Sequence, residues 1–185
     1  TADGQCATVP VHQLPQVHEA SEGAVFGSLL ALPSDKEITA AVSLPEAMEQ
    51  GYLVFATTSG EVKRLRLSDL PGATANAFTV MNVEKDDKLG WVMVTTGENE
   101  IVLSTAQGQT IRFSENDVRP TGLPAGGMRG IKLQGQRDRV VGALVAVPDR
   151  YVWSMTDDGV AQISPIAGYP SQGRAGSGVI GMRLP

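Results

Sequence analysis

A four-residue pattern, Thr-x-x-Gly, returns four times along this chain and constrains its fold more than any other feature. The pattern starts at Thr1, Thr57, Thr105 and Thr156. Successive glycines of the pattern are 56, 48 and 51 residues apart, and a proline follows each glycine after 11 or 12 residues. Sequence periods of about 40 to 50 residues are typical of solenoids and propellers. We therefore interpret the chain as a tandem repeat.

Each repeat carries β-strand patterns around its Thr-x-x-Gly turn. Apolar and β-branched residues precede the turn at 52–57, 100–105 and 151–156, and a second run follows each turn. A third run comes after the proline, at 25–32, 77–83, 128–133 and 179–184. A fourth run closes three of the repeats, at 37–44, 89–96 and 139–147. The glycine permits the positive φ of a tight hairpin turn, and only residues 44–51 have a pattern that permits a helical turn.

Four strands in each repeat predict an all-β fold. The expected architecture is a β-pinwheel or propeller-like array of four-stranded blades, arranged as an incomplete ring or arc. Residues 1–185 would form a single repeat domain, with blades at about 1–50 (partial), 51–98, 99–149 and 150–185 (partial). Because strands are missing from the first and last blades, we expect the chain to be part of a larger protein.

The charge is distributed unevenly along the chain. The formal net charge is -5, yet residues 1–50 contain seven acids and one base, whereas residues 51–185 contain 13 acids and 14 bases. Net charge therefore does not exclude an anionic partner, since clustered Lys and Arg can bind one. Apolar runs stay well short of the ~20 residues of a membrane span, and the single cysteine, Cys6, fits a reducing compartment. We expect a cytoplasmic protein with no membrane partner.

Several stretches resemble one family along almost the whole chain. They are FATTSGEVKRLRLSDL (55–70), GENEIVLSTAQGQTIRFSENDVRPTG (97–122), GGMRGIKL (126–133) and YVWSMTDDGVAQISPIAGYPSQGRAGSGVIGMRL (151–184). These runs resemble the C-terminal DNA-wrapping domain of DNA gyrase A. The resemblance implies a β-pinwheel of about six blades whose basic rim bends duplex DNA and supports negative supercoiling in the nucleoid.

The heptad Gln-Arg-Arg-Gly-Gly-Lys-Gly, which defines that family in its first blade, has only a partial counterpart here. Residues 172–178, QGRAGSG, keep its Gln, one Arg and two Gly residues, and they lie in the last repeat. By blade order the chain would begin in the second blade, with the heptad upstream. The C-terminal domain of topoisomerase IV, from the closely related counterpart of gyrase A, is the alternative.

The first candidate contacts with DNA lie on the strand after the second turn. Strand alternation predicts that Arg64 and Arg66 share an exposed basic face, with Leu65 on the opposite, core face. Lys63 precedes them, and Arg112 occupies the aligned position of the next repeat. DNA bending requires cations that contact phosphates and little base recognition, so the resemblance implies phosphate contacts for these side chains.

Further candidates flank the glycine-rich loop at residues 121–127 and its counterpart in the last repeat. Glycine lets a loop approach a DNA backbone closely. These candidates are Arg119, Arg129, Lys132, Arg174 and Arg183. We interpret Arg137 and Arg139, on either side of Asp138, as parts of a solvated turn. We interpret Trp91 and Trp153, inside apolar strands, as core residues.

Two other classes of function stay open at this point. A propeller-type scaffold for protein interactions agrees with the acidic net charge, although the signature motifs of the common propeller families are absent. An enzyme would need clustered carboxylates or histidines, and the sequence offers no such cluster and no phosphate-binding loop. We therefore expect no cofactor in this chain. The resemblance implies that the parent type II topoisomerase uses ATP and Mg²⁺ through other domains, and that the rest of gyrase A and the separate gyrase B protein are its partners.

Overall fold

The computed structural model describes residues 1–44, 50–72 and 76–184. Strands dominate these residues, as the sequence predicts. They are β1 Gln5–Cys6, β2 Tyr52–Thr57, β3 Glu61–Arg66, β4 Phe78–Thr79, β5 Leu89–Thr95, β6 Glu100–Thr105, β7 Gln109–Ser114, β8 Met128–Arg129, β9 Val140–Ala146, β10 Tyr151–Met155, β11 Ala161–Pro165 and β12 Val179–Ile180. The α-helix in the described residues is one turn, α1 Phe26–Leu29. Most of the helical turn predicted within residues 44–51 lies outside the described residues.

The Thr-x-x-Gly pattern forms the hairpin turns. The Thr57 hydroxyl accepts a hydrogen bond from the Glu61 backbone N–H at 3.1 Å, and Gly60 has a φ of +85°. The Thr156 hydroxyl accepts the matching bond from the Val160 N–H at 3.0 Å. The threonine side chain thus closes a turn that only glycine enters without strain. This geometry explains why the pattern recurs at each hairpin.

The strands form two four-stranded and two two-stranded antiparallel sheets. The larger sheets have the strand orders β5-β2-β3-β8 and β9-β6-β7-β12, and the smaller ones are β1-β4 and β10-β11. The predicted four-stranded sheets are therefore confirmed. Their composition differs from the sequence prediction, in which each repeat forms its own sheet, because one outer strand of each four-stranded sheet comes from the following repeat. Thus Glu61 of β3 pairs with Arg129 of β8, far along the chain.

The turn glycines allow this exchange of strands. The Gly60 carbonyl accepts the Gly130 N–H at 2.8 Å, and the Gly108 carbonyl accepts the Gly181 N–H at 2.8 Å. A Cβ on Gly108 would lie 2.2 Å from the Met182 carbonyl oxygen. The third run of a repeat therefore closes directly onto the hairpin of the preceding repeat, at a distance that leaves no room for a side chain.

Short 3-10 turns precede the recurrent prolines and end the hairpins. Those of the last three repeats are Leu67–Asp69, Glu115–Asp117 and Ile166–Gly168. After the proline, the chain runs back along the preceding repeat, where the Thr121 N–H donates to the Arg64 carbonyl at 2.9 Å. The loops after the prolines thus cover the second strand of the preceding hairpin.

The main core lies between the second and third repeats. Val54 and Val62 of one sheet pack with Ile101, Leu103 and other apolar residues of the next sheet. Trp91 packs against this cluster, as predicted, whereas Trp153 is 63% exposed, so its predicted core position is wrong. Trp153 lies in the two-stranded sheet β10-β11, and no repeat covers that face of the sheet in the described residues.

The first repeat departs most from the prediction. Residues 25–32 contain α1 in place of the predicted third strand, and residues 37–44 form no strand. A strand needs a partner with which to pair, and the third run of a repeat pairs with the preceding hairpin. The described residues contain no such hairpin for 25–32. Most described residues of the first repeat, including Val11 and Val25, are exposed.

Candidate nucleic-acid interface

Lys63, the first predicted contact, lies in the interior of the structure. Its side chain is buried, with 1% of the residue exposed. The ammonium donates to three backbone carbonyls, those of Val80 at 2.7 Å and of Gly122 and Ala125 at 2.9 Å each. Burial lowers the pKa of Lys63 to about 8. All three ammonium protons are occupied, so Lys63 joins three segments of backbone and presents no charge to solvent.

Arg64 is buried beside Lys63. One terminal nitrogen, Nη1, donates to the Glu115 carbonyl at 2.6 Å and to the Asn116 side-chain oxygen at 2.9 Å. The guanidinium carbon lies 4.1 Å from the centre of the Tyr52 ring. Arg64 also forms an ion pair, at 3.9 Å, with the buried Glu115 carboxylate. The guanidinium is therefore held by the following repeat.

Arg112 occupies the same place one repeat later. Its Nε donates to the Glu100 carboxylate at 2.6 Å, and the two side chains form an ion pair. Its Nη1 donates to the carbonyls of Ile166 at 3.2 Å and Tyr169 at 3.3 Å. Arg112, like Arg64, reaches from its own strand into the next repeat.

The prediction of an exposed basic face on β3 is wrong for Arg64, and the neighbouring candidate Lys63 is buried as well. Strand alternation assumed that the Arg64 face of β3 meets solvent, but the turn at Glu115–Asp117 covers Arg64, and the loop at residues 120–125 covers Lys63 on the opposite face. Arg66, at the end of β3, is exposed and lies 3.9 Å from Asp69. Because β3 continues past the covering loop, the predicted exposure applies to Arg66 alone.

Arg174, in the last repeat, also donates hydrogen bonds to backbone carbonyls. Its Nε donates to the Asp117 carbonyl at 2.8 Å, and its Nη1 donates to the Arg129 carbonyl at 2.9 Å. The backbone around it is joined to the third repeat as well, since the Ala175 N–H donates to the Gly130 carbonyl at 2.7 Å. Gln172–Gly178, the partial heptad, therefore joins the third and fourth repeats.

The remaining predicted cations are exposed. They are Arg119, Arg129, Lys132 and Arg183. Arg129 lies on β8, opposite Glu61, and Lys132 follows on the same segment; its N–H donates to the Gly176 carbonyl at 2.8 Å. Arg183 follows β12 at the outer edge of the other four-stranded sheet.

Arg174 brings part of this set together. It contacts the backbone of Arg129 directly and that of Asp117, two residues before Arg119. Lys132 is joined to the same region through Gly176. We call Arg119, Arg129, Lys132 and Arg174 the junction cluster. Arg119, Arg129 and Lys132 have exposed side chains, and Arg174 bonds to the backbone at or near two of them.

The charge of the surrounding segment supports this location. Residues 119–150 contain six bases and two acids, whereas residues 51–118 contain six bases and nine acids. One of the two acids, Asp138, is buried and accepts hydrogen bonds from three backbone N–H groups.

Three other exposed bases lie in that segment. They are Arg137 and Arg139, which the sequence analysis interpreted as parts of a solvated turn, and Arg150, which sequence reasoning missed. A residue-by-residue comparison with the family pattern does not select them, because they lie outside the aligned hairpin positions. Counting charge over the whole segment would have found them. Such a concentration of cations raises the local potential and attracts polyanions, even on a protein with net negative charge.

Other kinds of site receive no support from the described residues. Histidine, cysteine and acidic side chains form no group of three or more there that could hold a metal ion. Among the same residues, no helix is long and apolar enough to cross a membrane.

Serial hairpins, four-stranded antiparallel sheets and exchanged outer strands define a repeat domain of the propeller type. The family model described as "DNA gyrase C-terminal domain, beta-propeller" matches residues 51–96, 99–146 and 154–185, which is more than half of the chain. The chain therefore belongs to the DNA gyrase C-terminal domain family, as the sequence resemblance predicted.

Comparison with individual proteins agrees with this assignment. The chain is 35% identical over 183 residues to DNA gyrase A of Escherichia coli (strain K12), and the match covers 98% of this chain and 21% of that protein. It is 31% identical over 185 residues, its full length, to the gyrase A of Dehalogenimonas lykanthroporepellens, of which it covers 23%. The chain thus spans about a fifth of the length of the curated relatives it matches.

Solved structures show the same fold. The crystal structure of the C-terminal domain of DNA topoisomerase IV aligns with a TM-score of 0.87 at 26% identity, over 97% of this chain and 56% of that one. A DNA gyrase A C-terminal domain aligns with a TM-score of 0.78 at 18% identity, over 96% of this chain and 56% of that one. The chain thus has the fold of the gyrase A and topoisomerase IV C-terminal domains and spans about half the length of these two solved structures.

Proposed function

We propose that this domain binds and bends duplex DNA as the wrapping module of a bacterial type II topoisomerase. The observation that carries the proposal is the concentration of exposed cations at the junction cluster and along residues 119–150. Contacts between such cations and phosphates release counterions and supply affinity without base recognition. The family to which the chain belongs supports the same conclusion.

Charge also suggests where the DNA would run. Residues 1–50 carry seven acids and one base, so they repel phosphates, whereas residues 119–150 attract them. We expect the duplex to follow the third repeat and its junctions and to avoid the first. Arg66 and Arg183, which are exposed outside the junction cluster, would extend the contact.

Within the family, gyrase A is our proposed parent. The support is the identity of 30–35% to gyrase A proteins over nearly the whole chain. The parent enzyme would introduce negative supercoils in the cytoplasm together with the rest of gyrase A and the gyrase B protein, and would use ATP and Mg²⁺ through other domains. Topoisomerase IV is the alternative parent, which the TM-score of 0.87 to its C-terminal domain favours.

The decisive test measures DNA affinity across a salt series by fluorescence anisotropy. We expect affinity to rise with duplex length from about 20 to about 100 base pairs and to fall steeply with salt. Replacing Arg119, Arg129 and Lys132 by glutamine should lower the salt slope by about 2 to 3 and weaken binding to all sequences alike, since each lost phosphate contact removes about one unit.

The chain supplies a matched control. Glutamine at Lys85 and Lys88 removes two charges from exposed positions in the segment with excess acids, for comparison with glutamine at Arg129 and Lys132. That variant should bind with a slope within about one unit of the wild type. Equal losses in both variants would contradict a localised interface and leave only a general charge effect.

A protein-interaction scaffold is the second candidate function. The observation that favours it is the acidic balance of the chain, which has a formal net charge of -5 and seven acids against one base in residues 1–50. Absence of DNA binding even at low salt would favour this function over the first.

A further inference from the structure

Arg64 and Arg112 occupy equivalent positions in successive repeats. Each comes four residues after a turn glycine, Gly60 or Gly108. Each is on the second strand of its hairpin, β3 or β7, and each reaches into the repeat that follows. Because the same arginine contact occurs at two junctions between repeats, it is a feature of the repeat and not of one position.

The two arginine side chains donate hydrogen bonds to equivalent backbone carbonyls in the repeats that follow them. Arg64 donates from Nη1 to the carbonyl of Glu115, and Arg112 donates from Nη1 to the carbonyl of Ile166. Glu115 and Ile166 are the first residues of the 3-10 turns in their repeats. Each arginine thus holds the start of the turn that leads to the next proline.

The backbone carbonyl of each arginine forms a second hydrogen bond with the following repeat. The Arg64 carbonyl accepts the Thr121 N–H at 2.9 Å, and the Arg112 carbonyl accepts the Gln172 N–H at 2.8 Å. Thr121 follows Pro120, and Gln172 comes two residues after Pro170. Two attachment points on each side fix the rotation of one repeat against the next more firmly than a single bond does.

The guanidinium groups are themselves held from their own repeat. The Tyr52 ring lies under Arg64, and the Glu100 carboxylate pairs with Arg112. A planar guanidinium held from both sides loses little further freedom when it bonds across the junction. The side chain is therefore a rigid strut between repeats.

We infer that Arg64 and Arg112 set the angle between successive repeats, and through it the curvature imposed on bound DNA, without contacting the DNA. This inference rests on the proposed function. Duplex DNA resists bending over lengths of about 150 base pairs. A protein that bends it must resist the opposing force, and loose junctions would straighten with the duplex. The two arginines are positioning residues in this scheme.

The test replaces each arginine by lysine, which keeps the charge but loses the planar fork. Amide hydrogen exchange in the absence of DNA should quicken by about fivefold or more at Thr121 in Arg64→Lys and at Gln172 in Arg112→Lys, since each amide bonds to the altered residue. Arg66→Lys, on the same strand as Arg64, is the matched control and should leave both amides unchanged.

The DNA readouts separate curvature from affinity. On a duplex of about 40 base pairs with a dye at each end, energy transfer at saturating protein reports the bend. The double variant should bend DNA less while its affinity stays within about twofold of the wild type and its salt slope is unchanged. An unchanged bend would overturn the inference. A salt slope lowered by about one for each arginine in the Arg→Gln forms, with the bend retained, would instead assign them to phosphate contact.

A milder variant covers the case in which Arg64→Lys does not fold. Asn116→Ala removes the 2.9 Å bond from Arg64 to an exposed acceptor and leaves the arginine in place. It should quicken exchange at Thr121 and reduce the bend in the same direction, and no change in either would overturn the inference. Wild-type protein that binds no duplex would overturn the proposed function, whereas bound DNA with an unchanged bend in the variants overturns this inference alone.

Discussion

The third and fourth repeats present the same local structure in two environments. Their turn glycines, Gly108 and Gly159, both have positive φ, +75° and +91°. The third turn is covered by the next repeat, so a Cβ on Gly108 would meet the Met182 carbonyl at 2.2 Å, whereas a Cβ on Gly159 would meet no atom within 4 Å. The pattern therefore has two separable roles: it shapes a hairpin, and it leaves room for the backbone of another repeat.

The largest difference is expected between alanine substitutions at these two glycines. Gly108→Ala should lower the free energy of unfolding by about 3 kcal/mol or more, because the methyl group clashes with backbone in addition to straining φ. Gly159→Ala should cost about 1 kcal/mol from the conformation alone. Urea titration followed by circular dichroism measures both. Equal costs would show that the covered turn can relax, which would remove the distinction between the two roles.

A smaller difference is expected on the sheet faces. Val102 and Trp153 hold equivalent positions, three residues before the threonine of their turns. Val102 is 1% exposed and packs against Ile166 and Tyr169 of the fourth repeat, while Trp153 is 63% exposed. Val102→Ala should therefore cost about 2 kcal/mol, and Trp153→Ala less than about 1 kcal/mol, although tryptophan is the larger residue. The same urea titrations decide this, and the reverse order would contradict the covered-and-open comparison.

The smallest effect concerns pH at Lys63, whose equivalent in the fourth repeat is the exposed Gln162. The pKa of Lys63 falls from 10.5 to about 8 on folding, so the unfolded chain binds more protons between these values and stability rises with pH in that window. From pH 8 to about pH 9 the gain should be about 1 kcal/mol.

Two variants isolate that effect. Lys63→Met should abolish the alkaline gain in stability, and Gln162→Lys should add none, because a lysine at the exposed position keeps its hydration. Unfolding free energies at several pH values between 8 and 10.5 provide the measurement. A gain of the same size in Lys63→Met would assign the pH dependence to other groups.

Local features of the fold could be predicted from the sequence because local residues determine them. The Thr-x-x-Gly turns, the hairpin strands beside them and the all-β class follow from short stretches such as 52–66. The exchange of outer strands could not be predicted in this way. It depends on a contact between Glu61 and Arg129, for which no nearby residue gives a signal.

The same reason explains the errors in the candidate site. Alternation along β3 correctly leaves Arg66 exposed, but the burial of Arg64 and Lys63 follows from contacts with residues 51 to 62 positions later in the chain. A cation at a strand position can serve phosphate or carbonyl oxygens equally well, since both accept its hydrogen bonds. Only the path of the following repeat decides whether such a cation is exposed to phosphates or buried against backbone carbonyls. The phosphate contacts of Arg119, Arg129 and Lys132 stay a prediction.

Because one outer strand of each four-stranded sheet comes from the following repeat, the repeats complete their sheets in chain order during synthesis on the ribosome. When Arg66 leaves the exit tunnel, the sheet that contains β2 and β3 still lacks β5 and β8, and the chain must grow as far as Arg129 before its outer edge is paired. At the usual pace of synthesis, about 5 to 20 residues each second, that interval lasts several seconds. During this interval the edge of β3 has no partner strand. Each repeat that emerges from the ribosome then supplies the strand that completes the sheet of the repeat before it.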